Sequence, residues 1–83
     1  MFFKHPDVNK RRTIFTASGI FTGLVVDVSD TVTRFGNDYY LENVIFIPTG
    51  NTKLQIPIPE VKLYSINFIG ITDEIDPITF NEA

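Results

Sequence analysis

The amino-acid sequence predicts a small all-β domain: five antiparallel strands, strongly bent, closing into a barrel. Three observations carry this. Short β-branched or aromatic runs recur along the chain, separated by Gly, Asn, Asp and Pro. No helical periodicity of useful length interrupts them, although a short turn or helix can precede the first strand. Gly36-Asn37-Asp38 and Gly50-Asn51 place residues that tolerate positive φ between the runs.

Thr13 to Ala17 reads as the first strand. Gly19 introduces the second, with Ile20, Thr22, Leu24, Val26 and Val28 on one face. Ser29-Asp30 breaks that pattern, and Val32 to Phe35 continues it or opens a hairpin. Tyr39 to Ile47 forms a long third strand. Lys53 to Ile58 alternates as the fourth, with Leu54, Ile56 and Ile58 on one face. Pro57 and Pro59 put its end at a sheet edge or a bend, because proline cannot donate to a ladder. Pro59-Glu60-Val61 reads as a single turn, and Leu63 to Ile69 as the last strong strand. Beyond Gly70 the chain becomes a weak strand or a tail.

Eighty-three residues make a single domain, with a basic N-terminal arm (1–12), a core (13–69) and an acidic C-terminal segment (70–83). Hydrophobic residues make up 43% of the chain, including eight Phe, which excludes the disordered class. Cysteine is absent, so a thiolate metal site and a cysteine nucleophile are excluded, and a reducing compartment is favoured. Met1 to Arg12 lacks a long apolar stretch, so no signal peptide is expected, and no run reaches the length of a membrane span. Cytoplasmic localisation follows, in a host cytoplasm if the chain is phage-encoded. Net charge is −3, against indiscriminate nucleic-acid binding. Lys4, Lys10, Arg11 and Arg12 crowd the start, whereas Asp73, Glu74, Asp76 and Glu82 crowd the end. The two ends are either solvated, paired with each other, or paired with a neighbouring copy.

Val44-Ile45-Phe46-Ile47 and Ile66-x-Phe68-Ile69-x-Ile71 carry bulky apolar groups on both faces. A small barrel has one interior, so the second face is an exposed patch or an interface. Each such side chain left in water forgoes roughly 1.5–3 kcal/mol. Association with copies of the same chain is therefore expected, through Leu54, Ile56, Ile58, Ile66, Phe68 and Ile69, unless the termini fold back over the patch.

No catalytic constellation is legible, and no enzyme, cofactor, metal or small-molecule substrate is expected. His5, the single histidine, lies in what reads as a mobile arm with nothing placing a carboxylate and a nucleophile beside it. Asp27 and Asp30 at a turn are solvated or capping. Gly19-x-x-x-Gly23 opens no helix and so is no phosphate loop; it marks positions where another backbone comes close. Arg34, Phe35, Asn37, Tyr39 and Tyr40 crowd one turn in the vocabulary of single-stranded RNA readers, or in that of a hairpin tip whose rings pack inward.

The order of features resembles the Sm/LSm family, including its bacterial host factor Q branch, a group of SH3-like barrels. Thr13-Ile14-Phe15-Thr16-Ala17-Ser18-Gly19 looks like that family's first strand. Gly23-Leu24-Val25-Val26-Asp27-Val28-Ser29-Asp30-Thr31-Val32-Thr33 is similar to its segment from the bent second strand to the first RNA-contacting loop. Leu41-Glu42-Asn43-Val44-Ile45-Phe46 looks like the third strand, and Gln55-Ile56-Pro57-Ile58-Pro59-Glu60-Val61-Lys62 like the fourth strand and second loop. The pattern also resembles small Sm-like proteins of marine phage origin. Thr33 stands where the family favours asparagine, and the second loop has no Arg-Gly pair.

The resemblance implies a non-catalytic homo-oligomeric ring that binds uridine- or adenine-rich single-stranded RNA. Its fourth strand would pair with a neighbour's fifth, here Lys53–Ile58 with Leu63–Ile69. On that reading Arg34 and Tyr39 stack on bases or hold phosphate, Asn37 reads a base edge, Asp30 sets the first loop and Lys62 adds charge at the second. The acidic balance and the departures from the pattern favour a different reading, a structural or adaptor ring such as a phage assembly component with no nucleic-acid role. A monomeric SH3-like peptide binder would instead need an exposed aromatic groove.

Overall fold

A computed structural model of the chain describes residues 5–29 and 36–74. They form one antiparallel sheet of five strands: β1 (Arg11–Thr16), β2 (Gly19–Val28), β3 (Tyr39–Pro48), β4 (Ile56–Leu63) and β5 (Phe68–Asp73), with a 3₁₀ turn at Ser65–Asn67. The order across the sheet is β4-β3-β2-β1-β5. Sequential strands pair as hairpins up to β4, and β5 then crosses to pair with β1. Ile14, Val25, Val28, Tyr39, Leu41, Val44 and Leu63 form the buried cluster, and Phe68 and Ile71 of β5 pack against it. Side chains from all five strands thus meet on one concave side.

Single-residue bulges give the sheet its bend. The β2–β3 register shifts between Thr22 and Leu24 and again between Val25 and Asp27. A bulge changes which face a side chain takes, so the expected one-face series Ile20, Thr22, Leu24, Val26, Val28 is not what is buried. Thr22, Val25 and Val28 go inside, at spacings of three. Asn43 makes the matching adjustment in β3 with φ 51°, a left-handed conformation that asparagine tolerates. Gly23 lies beside it: a Cβ there would sit 2.9 Å from Val44 Cγ2 and 3.0 Å from the Glu42 carbonyl. The Gly19-x-x-x-Gly23 spacing does mark close backbone approaches.

The C-terminal half differs from the sequence expectation. Lys53 to Gln55 is not strand, because the Asn51 side chain accepts from the Lys53 amide at 3.2 Å and Leu54 N donates to Asn51 O at 3.1 Å. Such local bonds compete with a ladder. The fourth strand therefore starts at Ile56 and runs through Pro59-Glu60-Val61, expected to be a turn; Glu60 and Val61 pair with Glu42 and Leu41. Both prolines are accommodated because β4 is an edge strand. Leu63 closes β4, and the last strand starts only at Phe68 and extends past Gly70 to Asp73. Val32 to Phe35 lies outside the described residues.

The N-terminal segment from His5 is packed rather than loose. Asn9 N donates to Val25 O at 2.8 Å and Val25 N to Lys10 O at 2.9 Å, while Val8 packs on the core. Arg11 and Arg12 are strand residues, and each pairs with the acidic end of β5: Arg11 with Glu74, and Arg12 Nη1 with Asp73 Oδ1 at 2.6 Å. Among the described residues, Arg11 and Arg12 thus show the mutual pairing left open for the charged ends; Lys4, Asp76 and Glu82 lie outside them. No helix among the described residues is long and apolar enough to cross a membrane.

Candidate functional site: two open edges and an aromatic–lysine stack

Strand β3 alternates, so Tyr39 and Tyr40 point to opposite sides of the sheet. Tyr39 is only 6% exposed. Its ring meets His5 and Phe68 edge to face, each at 5.7 Å between centroids, and its hydroxyl donates to Asp7 Oδ2 at 2.5 Å. A ring held in this way presents no face to a base. The expected stacking role of Tyr39 is therefore corrected: it is a core residue.

Burial, and then the bond to the ionised Asp7, push the Tyr39 hydroxyl well above the ordinary phenol value of about 10. The folded chain holds this proton more tightly than the unfolded chain does. The associated stability is complete below pH ~10 and falls as pH rises above it. Tyr39→Phe should cost about 1.5–3 kcal/mol at neutral pH, the usual range for a hydrogen bond to a charged group. It should also flatten the alkaline limb, and urea melts at pH 8 and above check both. Parallel alkaline limbs for the two proteins would contradict the assignment.

His5 also has different surroundings from those expected. Its Nδ1 accepts from the Asp7 amide at 3.1 Å and lies 3.8 Å from the Asp7 carboxylate. Sequence reasoning missed Asp7, because its hydrogen-bond partner Tyr39 lies 32 positions away. Asp27, one of the two turn carboxylates, accepts from the Val28 amide at 2.9 Å and so caps its own backbone.

The other expected RNA-contacting residues scatter. Asn37 turns its amide inward, donating to the Ser29 carbonyl at 2.7 Å, so it closes the β2–β3 connection. Asp30 and Arg34 lie outside the described residues. Lys62, on β4, faces solvent. Cross-strand pairing brings Tyr40 beside it, and Tyr64 follows two residues on. The Lys62 ammonium lies 5.1 Å from the Tyr40 ring centroid and 4.9 Å from that of Tyr64. The Tyr40 hydroxyl, by its hydrogen bond, raises the Lys62 pKa above the ordinary lysine value. Tyr64 is 52% exposed and was not singled out from the sequence; only the strand register shows that it shares a surface with Tyr40 and Lys62.

Of the six residues expected at an interface between copies, four are open to solvent and two are not. Ile56 on β4 and Ile69 on β5 are exposed, as are Leu54 in the turn before β4 and Ile66 in the 3₁₀ turn before β5. Ile69 is the most exposed, at 74%. Ile58 and Phe68 are half-buried and pack against the core cluster, so their apolar surface is largely spent within the chain. Among the described residues nothing pairs with the outer side of β4 or of β5. No protein-family model matches the chain, and no curated protein matches it.

Proposed function

We propose that the chain is a non-catalytic, ring-forming module built on a bent Sm-like barrel, in which the β4 edge of one copy joins the β5 edge of the next. The observation that carries this is the sheet order, which among the described residues leaves both outer strands unpaired on one side, each bordered by exposed isoleucine. An unpaired edge with an apolar border is a template for another strand. The two edges differ, so the contact is head-to-tail, and a head-to-tail contact gives a ring when its rotation closes and an open filament when it does not.

Cysteine is absent from the chain, which makes the geometry directly testable. Ile56→Cys and Ile69→Cys variants, mixed and treated with a short thiol cross-linker, should yield covalent dimers that neither variant yields alone. Equal cross-linking within each variant alone, or none in the mixture, would overturn the head-to-tail arrangement.

A second reading, single-stranded RNA binding on the ring, is favoured by one observation: Lys62 held between the rings of Tyr40 and Tyr64 on an exposed face. Rings and a cation at one surface suit base stacking and phosphate contact. Against it, Arg11 and Arg12 are already paired with Glu74 and Asp73, which favours the structural or adaptor ring. If RNA binds here, Tyr64→Ala should lower affinity by about 1–3 kcal/mol, the range for one base–aromatic stack. Lys62→Ala should make the salt dependence shallower. Fluorescence anisotropy with a short uridine-rich strand reads both; no binding by the unaltered protein at low salt leaves the adaptor ring standing.

A further inference from the structure

We propose that the Asp7 carboxylate straps the edge strand β5 at both of its ends, making the N-terminal turn a control element for that edge. Among the described residues strand β5 has a single neighbour, β1, and their pairing is broken by a bulge between Phe15 and Thr16. Backbone pairing alone therefore holds it on one side only. Two side-chain routes lead from it to one carboxylate. At its start, the Phe68 ring meets Tyr39 edge to face at 5.7 Å, and the Tyr39 hydroxyl donates to Asp7 Oδ2 at 2.5 Å. At its end, Asp73 Oδ1 accepts from Arg12 Nη1 at 2.6 Å, and Arg12 Nε faces Asp7 Oδ1 at 3.6 Å. The Arg12 Nε atom is buried, so Asp7 is the charge that balances it there.

Each oxygen of Asp7 thus serves a different end of the same strand. The turn that carries Asp7 is itself pinned to β2 by the two backbone bonds at Val25. Order in the N-terminal turn and order in β5 are one linked property. The consequence for assembly rests on the ring reading, in which β5 supplies one of the two joining edges. Detachment of the turn would loosen that edge and so weaken ring closure.

Hydrogen exchange on the full-length chain tests the strap, with light scattering on the same samples reporting assembly separately. Asp7→Ala should speed exchange of the Phe68–Asp73 amides roughly ten- to hundredfold while Leu41 and Val44 keep their protection. The two straps can also be cut singly if that variant does not fold. Tyr39→Phe should loosen the Phe68 end, and Arg12→Gln the Asp73 end. Faster exchange confined to residues 5–10, or spread evenly over all five strands, would overturn the proposal. Loosened β5 with an unaltered molar mass would uphold the strap and refute its link to ring closure.

Discussion

If the chain forms the proposed ring, substituting Ile69 with aspartate is expected to leave a folded single subunit of 9.4 kDa. Ile69 is 74% exposed on β5, so a charge there meets water within one chain and costs the fold little. In a β4–β5 junction the same charge would be buried without a partner, at several kcal/mol. The loss repeats at every junction of a ring, so assembly should fail at concentrations where the unaltered chain is fully associated. Ile71→Asp provides the contrast: Ile71 packs against the core cluster, and its replacement should unfold the chain rather than dissociate it. Light scattering and circular dichroism on the two variants separate these outcomes. An Ile69→Asp protein of unchanged mass would show that β5 is not a joining edge.

Gly19→Ala should give the largest loss of stability available from one methyl group. Gly19 opens β2 with φ 154°, and a Cβ there would lie 2.3 Å from the Ile47 carbonyl oxygen and 2.7 Å from Cε1 of Phe46. The carbonyl belongs to the paired strand and cannot swing aside as a side-chain tip would. Backbone strain of about 1–3 kcal/mol adds to overpacking of about 1–3 kcal/mol. Near the middle of the summed range, about 4 kcal/mol, the melting temperature of a domain this size should fall by roughly 16–32 °C. A thermal melt followed by circular dichroism measures it. A shift of only a degree or two would mean that β2 and β3 do not approach as described.

The strands of the N-terminal half were readable from the sequence because local and tertiary preferences agree there. Thr13 to Ala17 and Tyr39 to Ile47 are rich in β-branched and aromatic residues and end near turn residues; β1 starts two residues earlier and ends one earlier than expected, and β3 runs one residue further. Gly19 and Gly23 announced close approaches for the same reason, since few other roles require glycine inside a strand. The C-terminal half was shifted because Lys53 to Ile58 alternates perfectly yet begins in a turn closed by Asn51. Alternation records side-chain pattern and not which local hydrogen bonds win. Pro57 and Pro59 pointed to a sheet edge or a bend, and the edge is what the structure has: β4 is an edge strand that carries both prolines and pairs with β3 through to Leu63.

Site residues were less legible, and parity explains why. Tyr39 and Tyr40 are adjacent and chemically equivalent in the sequence. One bulge-dependent register decides that Tyr39 enters the core while Tyr40 joins Lys62 and Tyr64 outside. The Asp7 strap runs through contacts between residues 32 and 61 positions apart, Asp7 with Tyr39 and Arg12 with Asp73, which no periodicity announces. Exposure at Leu54, Ile56, Ile66 and Ile69 was better anticipated, because an apolar surplus can be judged from composition before its location is known.

The most direct test of joined edges is the molar mass of the unaltered chain in solution, followed by light scattering over a hundredfold dilution. A closed head-to-tail ring predicts one discrete mass, three or more times 9.4 kDa, that persists until the junctions dissociate together. A mass of 9.4 kDa at the highest concentration, or a mass that grows without limit as concentration rises, would contradict it.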